Sequence, residues 1–257
     1  MDEFQIVKSR KTNKKKTVVA NVERILKTVY DIRWELKSTS IFTELNECLL
    51  PYLEASCGSG RHVDMVCYGL GSFVEAHIAR YQLALMTALR DKFQSKVPFR
   101  NCEVYDPIFI TEERTLLQEL GFTVLMTNEE GKRMCRPDAM TVFYLPHCGK
   151  ALYNNLLWAN WGPGLQHIIV IGNSFTAMTE RTPFRILQST AKYVANIQPY
   201  TKEQPLTIPD QFSDVFNDTS VHSFPTNLLD TVRDALWDDN AEPVYTEQDA
   251  EIIFKAQ

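Results

Sequence analysis

Five short apolar runs, interleaved with segments of helical spacing, constrain this chain more than any other feature. They are VDMVCYGLGS (63 to 72), CEVYDP (102 to 107), FTVLM (122 to 126), MTVFYLP (140 to 146) and HIIVIGNSF (167 to 175). A strand wet on one side alternates apolar and polar residues, whereas a strand covered on both sides reads as a near-continuous apolar run. Between the runs, Val74, Ile78, Tyr81, Leu85 and Leu89 share one face of a helix expected over 73 to 93. TEERTLLQELG (111 to 121) opens at Thr111 with Glu112 and Glu113 in its first turn and closes at Gly121, as a capped helix should. A third helix is expected over 149 to 160. This alternation predicts an α/β fold: a doubly wound, mostly parallel, Rossmann-like sheet with helices on both faces.

The flanks have other characters. Val22, Ile25, Leu26, Val29, Ile32 and Leu36 recur at three- and four-residue spacing, which predicts an amphipathic helix. A short helix over 41 to 50 should stop at Pro51, and EASCGSGR (54 to 61) reads as a loop. Around and beyond Tyr200 the chain is rich in proline (Pro199, Pro205, Pro209, Pro225), and it should close with a helix over 227 to 237. The expected division is a basic disordered tail (1–17), an N-terminal helical extension (18–61) and the α/β domain (62–257). At 44% hydrophobic, 257 residues supply one sizeable core.

Charge and cysteine usage narrow the function classes. Lys8, Arg10, Lys11, Lys14, Lys15 and Lys16 crowd into the tail, while the whole chain carries −5. The acidic excess therefore sits in the globular part and argues against its gripping nucleic acid. The basic cluster reads as a solvated tail, a nuclear-import signal or a phosphate-binding arm. No run approaches the roughly 20 apolar residues of a membrane helix, and the first residues hold no apolar leader core. The six cysteines (48, 57, 67, 102, 135, 148) form no CxxC pair and read as reduced thiols. A cytoplasmic location, with the nucleus also open to the chain, is the expectation.

In open α/β sheets ligands bind beyond the carboxyl ends of the strands, so those ends supply the candidate site. They carry Gly69, Gly71 and Ser72 after the first run, Asp106 after the second, His147 and Cys148 after the fourth, and Asn173 and Ser174 after the fifth. Gly69 and Gly71 would let backbone amides approach an anionic ligand, and Asp106 could accept ribose hydroxyls. A dinucleotide fingerprint would need a third glycine where Val74 stands and an acidic residue about 20 positions on. Asp106 lies 35 beyond Gly71. That tells against a nicotinamide cofactor and is more compatible with a methyltransferase-like pocket or a vestigial one.

His147 and Cys148 admit four readings: a thiolate nucleophile beside an imidazole, a zinc site, axial ligands of a haem iron, or a histidine held at the rim. Zinc lacks CxxC and HxxxH partners, so no metal site is expected. In the following helix Leu152, Leu156 and Ala159 mark one apolar face, and Tyr153, Leu157 and Trp161 another. That pattern predicts burial of Trp161, with Asn154, Asn155 and Asn160 left to satisfy neighbouring loops. FNDTSVHSFP (216 to 225), with Asn217, Asp218 and His222 framed by apolar residues, is expected to fold back over the rim as a loop.

YDPIFITEERTLLQELGF, FYLPHCGKALYNNLLWANW, IIVIGNSF and VFNDTSVHSFP together resemble the SRR1-like family, whose plant member is named for sensitivity to red light being reduced. The resemblance runs from about Val63 to Pro225. It implies regulatory roles: circadian clock and light signalling in the plant member, haem biosynthesis and clock-gene expression in mammalian members, and microtubule-related processes in a fungal one. Matching positions are Asp106 and Pro107, Pro146 to Cys148, Asn154, Trp158, Trp161, Asn173, Ser174, Asn217, Asp218, His222 and Pro225. The family carries no settled catalytic role, so a regulatory protein binding a small molecule or a protein partner is favoured over an enzyme. The alternative is a transferase using an adenosine-containing cofactor. The ligand is open between haem and an adenosine compound.

Overall fold

The structure, a computed structural model, describes residues 10 to 94, 96 to 246 and 251 to 255, with side chains described from Glu23. The first nine residues of the basic tail lie outside the described residues. Helix α1 (Arg10–Leu36) leads into α2 (Ser40–Gly58), then β1 (His62–Tyr68), α3 (His77–Phe93), β2 (Phe99–Tyr105), α4 (Thr111–Glu119) and the two-residue β3 (Thr123–Val124). The chain returns through β4 (Ala139–Leu145), α5 (Lys150–Ala159) and β5 (Ile168–Asn173). It then passes α6 (Phe175–Arg181), α7 (Phe184–Thr190) and α8 (Lys192–Ile197) before β6 (Lys202–Pro205), α9 (Ser213–Phe216) and β7 (Thr219–Ser223). Two short helices, α10 (Thr226–Leu229) and α11 (Asp234–Asp238), follow.

The strands form one mixed sheet in the order β3-β2-β1-β4-β5-β7-β6. β1 to β5 are mutually parallel, while β7 runs antiparallel to both β5 and β6. The chain builds outward from β1 to β2 and β3, then returns to lay β4 on the other side of β1. At that point two neighbouring strands send their connections in opposite directions.

Alternation along the central strands divides the core. Val63, Met65 and Cys67 of β1, Val142 and Tyr144 of β4, and Ile169 and Ile171 of β5 share a cluster with α1, α2, α3 and α4. Val66 and Tyr68, Phe143 and Leu145, and Ile168 and Val170 face the opposite cluster with α5, α7 and α8. Both faces are therefore dry, which explains the near-continuous apolar runs.

Several boundaries differ from the sequence-based expectations. α2 passes through Pro51: Leu45, Leu49 and Leu53 are buried on one face, and this continuous stripe outweighs the missing amide. β1 ends at Tyr68, and α3 starts only at His77. The expected closing helix is two separate turns. The largest correction concerns FNDTSVHSFP. Its centre is no loop; Thr219–Ser223 is a fully buried strand. Polar side chains disguised it: they are buried instead of facing water, and those of His222 and Ser223 bond neighbouring groups.

Candidate functional site

Beyond the carboxyl ends of β1 and β4 lies a cavity of about 210 Å³, lined by Tyr68, Gly69, Tyr105, Asp106, His147, Cys148, Leu152 and neighbouring residues. Gly69 and Gly71 both adopt positive φ, +66° and +81°. At Gly69 the reason is doubled, since a Cβ there would stand 2.5 Å from Cys148 Sγ.

Two buried carboxylates hold this glycine turn. Asp106 accepts the Gly71 amide at 2.8 Å and the Ile108 amide at 3.0 Å. Burial pushes its carboxyl above the ordinary aspartate range, against the pull of those two amides, with the Glu113 charge adding to the rise. Glu113 is 0% exposed. It takes the Ser72 hydroxyl at 2.8 Å and the Val74 amide at 3.0 Å on one oxygen, and the Ile110 amide at 3.1 Å on the other. Asp106 and Ser72 are thus brought together as parts of a clamp. Sequence reasoning credited Glu113 only with helix-end electrostatics; its position three residues past the N-cap was the signal that its carboxylate could turn back onto the Ile110 amide.

The fourth strand ends in a second clamp. His147 has φ +51° and is exposed at the rim. Its amide donates to Asn173 Oδ1 at 3.0 Å, and Asn173 Nδ2 donates to the Cys148 carbonyl at 3.0 Å. Beneath them the Tyr153 hydroxyl donates to the Leu145 carbonyl and accepts the Asn173 amide at 2.8 Å. Sequence reading placed Tyr153 only on an apolar face of this helix. His147 Nε2 lies 2.6 Å from the Val215 carbonyl, which fixes that nitrogen as the donor. Cys148 is 7% exposed, and its thiol donates to the Tyr68 carbonyl at 3.3 Å. Burial, and then the Asp106 charge, push that thiol far above the usual range. Burial, the bond to the Tyr68 carbonyl and the raised thiol all oppose a thiolate nucleophile at this position. Among the described residues no group of three His, Cys, Asp or Glu side chains could hold a metal ion.

The last candidates separate. Ser174 caps α6 through the Ala177 amide, and its own amide donates to the Asp218 carbonyl at 2.8 Å. Asp218, at φ +59°, pairs with Arg181 at 2.8 Å. Asn217 is exposed beside them. Residues 215 to 218 thus reach the rim, whereas His222 does not. It sits opposite Val170 inside the sheet, 0% exposed, and stacks on Phe175 at 4.0 Å. Its Nδ1 faces the Val170 carbonyl and its Nε2 accepts the Phe175 amide.

The α5 asparagines do satisfy neighbouring backbone. Asn155 Nδ2 donates to the Glu130 carbonyl, Asn160 bonds Cys135 and Arg133, and Asn154 takes the Tyr193 amide. Asn154 and Asn155 also both bond the hydroxyl of Tyr245. Trp158 and Trp161 donate to the carbonyls of Asn240 and Leu236. Trp161 is half-buried, wedged edge-on against Tyr193 and Trp237. It supports the C-terminal chain more than the central core.

Further cavities flank the site. One of about 490 Å³ shares His147, Cys148 and Gly149 with the first and adds Lys150, Asn173 and Arg181. Another of about 310 Å³ lies over the middle strands, lined by Asp64, Asn101, Glu103, Arg133 and Arg136 among others. Several of its charges are paired: Arg133 with Glu103 and Glu129, and Asp64 with Arg100.

Comparison with known proteins identifies the domain. A family model described as the SRR1 domain matches residues 35–223, a span that contains every candidate from Gly69 to His222. An SRR1-like protein of Mus musculus is 50% identical over 145 residues, covering 56% of this chain and 57% of that protein. The chain thus matches a little over half the length of that relative. The Protein SENSITIVITY TO RED LIGHT REDUCED 1 of Arabidopsis thaliana is 29% identical over 233 residues, 88% of this chain and 80% of that one. An SRR1-like protein of Drosophila melanogaster is 28% identical over 239 residues, 92% and 81% of the two chains. No solved structure matches.

Proposed function

The chain belongs to the SRR1 family, and from that premise we propose that it is a regulatory protein whose Rossmann-like strand-end pocket binds a small molecule without transforming it. One observation carries the reading. The pocket lies where β1 and β4 diverge, the usual ligand crevice of such sheets, yet the polar groups around it are engaged in holding backbone. Asp106, Asn173 and Cys148 all bond main-chain atoms. A preformed cavity with satisfied walls suits recognition; no base, nucleophile and orienting partner stand in line.

Physiologically the proposal follows the family: regulation of the circadian clock and light responses, and of haem biosynthesis, exerted in the cytoplasm with access to the nucleus. Haem itself fits the rim poorly. Axial ligation would require His147 to give up its Nε2 bond to the Val215 carbonyl, or Cys148 to leave its buried bond to Tyr68.

A second reading rests on the sheet. A reversed strand inserted next to the last one, at the end of an otherwise parallel sheet, is also the arrangement of methyltransferases that use an adenosine cofactor. This is an analogy of fold alone. Asp106 follows β2, where a ribose-binding acid belongs, and each of its oxygens keeps a second lone pair.

Mass spectrometry of small molecules released from the purified protein tests the main reading. A co-purifying compound should be lost from Leu152→Trp, whose ring fills the cavity, while the fold persists by circular dichroism. Recovery of no compound, together with no thermal shift from any adenosine ligand or haem, would refute it. Product formation from S-adenosylmethionine, abolished by Asp106→Ala, would establish the second reading instead.

A further inference from the structure

The segment 251 to 255 lies on the rim although it is about a hundred residues away from it in sequence. Glu251 Oε2 accepts the Lys150 amide at 3.0 Å, and its Oε1 stands 3.5 Å from Lys150 Nζ. Ile252 and Ile253 line the 210 Å³ cavity. Asn128 Nδ2 donates to the Ile253 carbonyl at 2.6 Å, and the Lys255 amide donates to Glu130 Oε1 at 2.8 Å.

Two features give this contact a direction. First, α5 opens at Gly149, which has no side chain to cap the helix, so the carboxylate of Glu251 meets the positive helix end in its place. The approach is close: a Cβ on Gly149 would stand 2.3 Å from Glu251 Cβ and 2.6 Å from its carbonyl oxygen. Second, the segment is loosely held. Polar contacts fasten it, while Ile253 stays 57% and Phe254 40% exposed. The chain before it is fixed firmly, with Tyr245 bonded to Asn154 and Asn155, and Ala241 to Tyr193. A fixed root and a weakly bound tip are properties of an element that opens locally.

We propose that Glu251–Lys255 is a built-in strap. It seats a carboxylate at the start of α5, where an external ligand would place an anionic group, and walls the cavity beside it with two isoleucines, against which the ligand's apolar or planar body would lie. Strap and ligand exclude each other, so release of the strap controls entry. The inference rests on the ligand-pocket reading above and adds both the ligand's chemical class and its regulation.

The test uses the full chain, full-length Glu251→Lys and a chain ending at Thr246. The probes are adenosine diphosphate and S-adenosylhomocysteine, one presenting phosphate and the other carboxylate. In amide-resolved NMR spectra, the Lys150 amide should shift in both variants relative to the full chain. Calorimetry should show tighter binding of at least one probe to both variants, by about tenfold if the strap is seated roughly nine-tenths of the time. The tighter-binding probe identifies the anion. An unshifted Lys150 amide overturns the strap outright. A shifted amide with equal affinities overturns the competition and leaves the pocket reading standing. A shifted amide with no binding of either probe to any of the three chains overturns the inference together with the adenosine form of the pocket reading.

Discussion

Removing the Glu113 carboxylate should loosen two loops at once. In Glu113→Ala the amides of Val74 and Ile110 and the hydroxyl of Ser72 lose their common acceptor. Water replaces it poorly, because the site of that carboxylate is closed to solvent. Each backbone amide left unpaired in such a place costs about 1–2 kcal/mol, and the hydroxyl, free to turn, costs less. Relief of the cost of burying a carboxylate offsets part of this, so the net loss should be about 3 kcal/mol. For a domain of this size that lowers the melting temperature by about 6–12 °C. Urea denaturation gives the free energy, and hydrogen exchange at Val74 and Ile110 locates it. Glu113→Gln sharpens the test. Its amide nitrogen must face a donor on one side, so it should recover no more than half the loss. A loss below about 1 kcal/mol in Glu113→Ala would place the site among ordinary surface positions and refute the clamp. Full stability in Glu113→Gln would show that a single acceptor oxygen is enough to hold both loops.

Trp161→Ala should cost about 2 kcal/mol by denaturation, less than a fully buried aromatic, with exchange rising chiefly in residues 234 to 245; a loss spread over β4 and β5 would make it a core residue. The exposed Cys57 should react with a thiol reagent at pH 7 well before the buried Cys148, and labelling of Cys148 at the rate of Cys57 would contradict its raised, buried thiol. Burial alone would raise the Glu130 carboxyl, but the Lys255 amide and the Lys132 ammonium hold it below the ordinary range. Its contribution is therefore complete above the usual glutamate value of about 4.3 and is lost as pH falls through the lowered one. Glu130→Gln should flatten the acid side of the stability profile, and an unchanged profile would deny Glu130 that role.

What was legible in the sequence follows from what is periodic. The central strands announced themselves because Val142, Phe143, Tyr144 and Leu145 are all buried, and the helices between them because their stripes repeat. The position of the strand ends was legible by the same logic, since a parallel sheet fixes where its loops gather. Roles were harder to read. Asp106 and Asn173 were placed correctly at the rim but bond backbone, and a residue name does not say whether its oxygens face a ligand or an amide. His222 was misplaced because TSVHS has the composition of a turn; its burial depends on Phe175, Val170 and Glu203, all distant in sequence. β6 and the rim segment 251 to 255 left no local signal, since both are defined only by the surfaces they meet.

The margins of the sheet bear on how this protein can associate with others. On one side β3 offers two residues, Thr123 and Val124. On the other, β6 is four residues long, begins with Lys202 and ends at Pro205, which has no amide to donate. Short, charged and proline-terminated margins give an incoming chain little backbone to pair with. Association by strand addition, the route used by many peptide-binding sheets, is therefore disfavoured at both margins. The helical faces and the loop rim are left as the better surfaces for a partner, and a partly unfolded copy meets a poor template for cross-β growth along these margins.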